Sequence, residues 1–190
     1  MIMNRNGHLH RAVVGCLLAA IGTAAPGYAQ ADFFEGFNAL SNPLAGEQGP
    51  PELIDDGWIF VNHSNPVGPW AWEPGSYMPF EGSAHLESTP LATDFGGTVS
   101  AWAILPEIPN LQSGDIVSFY VRSSHGESSG QTLELRYSPS GGTNVGSGFF
   151  DTGDFTEALL VLDPPPLDPE FWSLVTVTVP GSGRLALWHH

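Results

Sequence analysis

The chain contains no lysine, and its only cationic side chains besides histidine are Arg5, Arg11, Arg122, Arg136 and Arg184. Two of these precede residue 32, so three arginines face all twenty acids over the remainder. No basic patch can be assembled from so few, which argues against nucleic-acid binding by phosphate neutralisation and against docking on anionic lipid. Charge of either sign is scarce, at 13% of residues, about half the usual share. Cysteine occurs once, at Cys16. Everything beyond it therefore lacks a thiol nucleophile, a thiolate metal ligand and a disulfide. No later run is long and apolar enough for a transmembrane helix.

What is abundant is turn chemistry, with 23 Gly and 17 Pro in 190 residues. Such a composition suits short strands joined by tight loops. The first 31 residues have a different character. "MIMNRNGHLHR" is weakly cationic, "AVVGCLLAAIGTAA" is apolar but too short to span a bilayer, and "GYAQA" offers small residues at A-x-A spacing. This is the pattern of a signal peptide, with cleavage after Ala31 or Ala29. The expected product is secreted, extracellular or at the cell surface, with residues 32–190 as a single domain.

Strand-period patterns dominate after residue 57. "TLELRYS" alternates Leu133, Leu135 and Tyr137 with Glu134 and Arg136, and "LVTVTV" alternates Val175, Val177 and Val179 with polar neighbours. Further candidates are "WIFVNH", "SAHLEST", "TVSAWAIL", "DIVSFYVR", "EALLVL" and "RLALWH". About eight short strands with turns between them predict an all-β, antiparallel β-sandwich or barrel, and no segment carries a convincing helical period.

Several stretches could carry chemistry. "HGESSG" contains G-x-S-x-G around Ser128, with His125 nearby. A nucleophile elbow needs a strand turning into a helix. Here a second strand pattern follows, so the segment is expected to be a hairpin loop and a serine esterase or peptidase is the disfavoured alternative. The histidines show no recognised zinc spacing, and His189 and His190, adjacent on a strand, should face opposite sides. Asp32 and Glu35 in "ADFFEGF", and Asp151 and Asp154 in "DTGD", are carboxylates suited to calcium, although neither stretch matches an EF-hand loop. "VGPWAWEPGSYMPF" gathers Trp70, Trp72 and Tyr77 with Phe80 in a Pro/Gly-rich segment, the composition of a loop that presents rings to a ligand. Trp58, Trp102 and Trp172 fall in strand patterns and are expected in the core.

The order of segments "DFFEGF", "GWIFVNHSNPVGPWAW", "GGTVSAWAILPEIPNLQSGDIVSFYVRS", "LELRYSPSGGTNVG", "GDFTEALLVLDP" and "FWSLVTVTVPGSGRLAL" resembles the choice-of-anchor J domain, a secreted bacterial module similar to cleaved-adhesin and MAM-type domains. The resemblance runs over nearly all of residues 33–187. It implies a jelly-roll β-sandwich without catalytic activity that binds carbohydrate or protein at the cell surface. It also implies a structural calcium with Glu35, and Asp32 beside it, on the ligand side. A final strand carrying an "IDD"-like acid and a C-terminal anchor would follow "GRLAL" in the family, whereas here "WHH" follows. The expected consequence is an unpaired sheet edge prone to self-association.

Overall fold

A computed structural model describes residues 12–14, 19–20, 33–123, 131–163 and 171–190. Its elements in chain order begin with β1 (Ala12–Val14), β2 (Ala19–Ala20), the one-turn helix α1 (Pro51–Asp55), β3 (Ile59–Asn62), β4 (Asn65–Val67), β5 (Glu73–Gly75) and β6 (His85–Ser88). A short 3-10 turn (Pro90–Ala92) leads to β7 (Thr93–Thr98), β8 (Ala101–Ile104), β9 (Ile116–Ser123) and β10 (Leu133–Ser138). The last three are β11 (Glu157–Leu162), β12 (Ser173–Thr178) and β13 (Arg184–His189).

Two antiparallel sheets make a sandwich, in agreement with the sequence. The first runs β12-β9-β1-β6-β5, with β2 also alongside β9, and the second runs β11-β10-β13-β8-β3. A small ribbon joins β4 to β7. Alternation decides which side chains meet between the sheets. Leu86, Val117, Phe119 and Val121 come from the first sheet; Ala101, Ala103, Leu133, Leu135, Leu185 and Leu187 come from the second. Trp58 joins this core as expected.

The middle strands of the second sheet are buried on their other face too. Trp102 and Trp188 stack there at 4.7 Å, and Phe155 leans on Trp102 at 5.7 Å. Val145 and Phe155, from the segment between β10 and β11, close this smaller core. The "AWAI" of β8 shows how the division arises, with its two alanines towards the first sheet and Trp102 and Ile104 towards the covering segment. Polar bonds fix the cover: Trp188 Nε1 donates to Ser100 Oγ at 3.1 Å, and Ser100 Oγ donates to the Phe149 carbonyl at 3.0 Å. Asp151 and Asp154 cap the same segment from within, accepting N–H bonds from Gly148 at 2.7 Å and Asn144 at 3.0 Å respectively.

Three differences from the sequence reading are structural. A single helical turn, too short to show a period, starts at Pro51, where proline's fixed φ suits the first helical position. It ends at Gly57 with φ +89, and the Trp58 N–H returns to the Leu53 carbonyl at 2.9 Å, so the left-handed residue swings Trp58 into the core. Second, β9 and β10 belong to opposite sheets. The connection holding Ser128 is therefore a crossing between sheets and not a hairpin, and residues 124–130 themselves lie outside the described residues. Third, the apolar N-terminal stretch supplies β1, hydrogen-bonded to β6 on one side and β9 on the other.

Candidate binding surface

The outer face of the first sheet follows from strand parity. With Val117, Phe119 and Val121 turned inward, Tyr120 and Arg122 of β9 must point outward. With Leu86 in the core, His85 and Glu87 of β6 share that outer side, and Leu174 of β12, opposite Tyr120, is exposed on it. The segment between β5 and β6, residues 76–84, crosses over this face. Its Tyr77 carbonyl accepts a bond from the Arg122 guanidinium, and its Met78 carbonyl accepts one from Trp172 Nε1 at 3.1 Å. Phe80 stacks on Tyr120 at 3.7 Å.

Arg122 is the centre of this assembly. Its guanidinium lies 4.7 Å from the Trp172 ring centroid and 5.6 Å from that of Tyr77, a cation held between two π faces. Burial pushes its pKa down, with Tyr77 and Glu87 acting in the opposite direction. It remains charged, since arginine does not deprotonate in proteins. His85 packs edge-on to Trp172 at 5.5 Å, and its Nε2 is 3.5 Å from a Glu87 carboxylate oxygen. Gly75 leaves room for this pair: a Cβ there would sit 2.1 Å from His85 Nε2 and 2.8 Å from Glu87 Oε2.

Above these buried side chains the surface is apolar. Tyr77 is 69% exposed, and Met78, Phe80 and Leu174 are exposed around it. Phe171, next to Trp172, is 66% exposed. Exposed rings fixed from below by buried polar bonds form a preorganised contact patch, and patches of this kind mark interaction sites.

A second concavity, of about 300 Å³, lies among Glu107, Ser140, Gly141, Ser182, Gly183 and Arg184. Arg184 and Glu107 are 3.8 Å apart across it. It is polar and lacks the rings that distinguish the face of the first sheet.

Of the rings singled out in the sequence, Tyr77 and Phe80 reach the patch. Trp72 is 0% exposed and belongs to the central core, because the Ala71 and Trp72 N–H groups are both tied to the Gln48 carbonyl, at 3.1 and 2.9 Å. Trp70 is half-buried and makes none of the ring contacts described above. Trp172, expected in the core, is only partly buried and faces outward. Strand parity counted back from Val175 and Val177 places it there, so the signal was present in the sequence. Arg122 was legible in the same way from "IVSFYVR".

The metal candidates separate. Asp32 lies outside the described residues. The half-buried Glu35 carboxylate accepts the Phe37 N–H at 2.7 Å, and burial, with Asp56 adding repulsion, raises its pKa. Among the described residues no three His, Cys, Asp or Glu side chains gather as metal ligands. His189 and His190 do face opposite ways, but His189 is fully buried, its Nδ1 2.8 Å from Ser88 Oγ. His190 stacks on Trp188 at 3.9 Å and bonds Glu134 at 3.0 Å.

Comparison with protein-family models, curated proteins and solved structures finds no match. Among the described residues no helix is long and apolar enough to cross a membrane.

Proposed function

We propose that the protein is an exported, non-catalytic binding or adhesion module whose contact surface is the aromatic outer face of the first sheet, with carbohydrate or protein as its ligand. The observation that carries this reading is the set of exposed rings, Tyr77 and Phe80 with Trp172 at their edge, anchored by Arg122 and main-chain bonds. Flat apolar faces ready-fixed in position stack on a sugar ring or pack into a partner's surface at little entropic cost. The sandwich fold and the resemblance to choice-of-anchor J domains point the same way, as does the signal-like N-terminus. A purely structural envelope component would share the fold but have no use for a preorganised patch.

The test is binding of the full chain to an array of polysaccharides and extracellular proteins. Tyr77→Ala is expected to weaken any ligand found by about 1–3 kcal/mol, roughly 5- to 150-fold, as interface aromatics do, while leaving the melting temperature nearly unchanged. Unaltered affinity in both Tyr77→Ala and Phe80→Ala would move the site elsewhere.

Calcium belongs to the same reading, with Glu35 as a ligand. A cation would relieve the repulsion between Glu35 and Asp56. The melting temperature is expected to be higher in calcium than in EDTA, and Glu35→Gln to abolish the difference.

A further inference from the structure

β1 is a central strand. Its register places Ala12, Val13 and Val14 opposite Ser88, Glu87 and Leu86 on one side and opposite Ser123, Arg122 and Val121 on the other. β2 continues along β9, with Ala19 opposite Ser118 and Ala20 opposite Val117. Yet residues 1–31 have the composition of a removable leader. Their removal would leave β6 and β9, two strands from the middle of a sheet, with unpaired backbone edges facing each other across one strand's width.

The walls of that gap have contacts besides those to β1. Leu86 and Val121 are both held in the central core against the second sheet. On the outer side, residues 76–84 leave the β6 side and are bonded to Arg122 and Trp172 on the β9 side, which straps the two halves together. Gap positions level with Leu86 and Val121 face the core, and the position between Glu87 and Arg122 faces outward. The strand between them, β1, reads Ala-Val-Val.

We propose that the space between β6 and β9 is a strand-acceptor groove, filled in the precursor by β1 (Ala12–Val14). After processing it takes, in trans, an extended segment of another polypeptide that carries small apolar residues and runs antiparallel to both walls. Main-chain bonds to two edges supply affinity, and the narrow core-facing positions select small side chains. The described apolar strands of the chain are already engaged in its own sheets, which favours a different polypeptide over a second copy. This inference rests on removal of the leader, part of the proposed export; N-terminal sequencing of the exported protein tests that step separately.

The groove is tested with the full chain carrying an engineered protease site within residues 24–30, cut after folding. A labelled synthetic peptide of residues 10–22 is expected to exchange into the cut protein at one per chain and to raise its melting temperature. The same peptide with Val13→Pro, which loses a ladder N–H, is expected to bind about tenfold more weakly or worse. Failure of the labelled peptide to bind, equal binding of the proline peptide, or cut chains that fill the groove by pairing with one another would each overturn the proposal. Uncut chain that takes up no peptide, beside cut chain that does, would place binding in the vacated groove.

Discussion

Trp102→Ala is expected to lower stability by about 3–5 kcal/mol, the range for deleting a large aromatic from a well-packed core. Trp102 is fully buried between Trp188 and Phe155, so its loss breaks the stack and frees the covering segment at once. Domains of this size carry about 5–15 kcal/mol in total. At roughly 2–4 °C per kcal/mol, the melting temperature should fall by about 10 °C. Limited proteolysis should cut within 139–156 in the variant before it cuts elsewhere. Trp102→Phe is the informative companion. Trp102 Nε1 is buried without a hydrogen-bond partner, so phenylalanine keeps much of the packing and removes an orphaned donor. It should cost markedly less than alanine, and equal losses in the two variants would mean that the stack contributes little.

The second large effect is an acid sensitivity set by His189. Burial, with His190 adding repulsion, lowers its pKa from 6.5 to about 3. Ser88 Oγ donates to the Ala71 carbonyl at 3.0 Å, so it accepts from His189 Nδ1, and the hydrogen-bond network assigns the neutral Nδ1–H tautomer. Above pH 6.5 the imidazole is neutral in both folded and unfolded chains and pH has no effect through it. Below 6.5 the unfolded chain binds a proton that the folded one refuses. Stability then falls by about 1.4 kcal/mol per pH unit, about 2 kcal/mol by pH 5, and the loss continues towards the folded pKa near 3. Denaturant unfolding from pH 7.5 to 5 measures this slope. His189→Asn, which can keep a donor towards Ser88, should reduce it by about one proton; an unchanged slope would assign the acid lability to other groups.

Much of the sandwich was legible because alternation is a local signal. β10, β12 and β13 follow the patterns of "LELRYS", "LVTVTV" and "RLALWH", and the inward faces assigned from Leu133, Leu135, Tyr137, Val175 and Val177 are the observed ones. Sheet membership was not legible. The turn residues after β9 fit a hairpin as well as a crossing between sheets, and only tertiary pairing distinguishes the two. Trp72 misled because proline and glycine around it signal irregular backbone, not exposure, and an irregular segment pinned to Gln48 can still bury its ring. The apolar run within the first 31 residues was legible as composition, but composition says nothing of whether part of such a run can also pair in a sheet. The proposed contact face was half visible: Tyr77 and Phe80 from their loop, Arg122 and Trp172 from parity that was available but not extended past the strand patterns.

The cover over the second sheet gives the molecule a back and a front. Residues 139–156 close one broad side with capped turns and a packed aromatic stack, while the other side carries the open rings. Attachment chemistry therefore decides whether the rings are seen at all. Past Cys16 the chain has no thiol of its own. A single cysteine placed at Phe150, 74% exposed on the cover, would couple the protein to a bead or sensor with its aromatic side towards solution. The same cysteine at Leu174 would press that side against the support. Two immobilised samples with identical folds would then give opposite answers in a ligand screen.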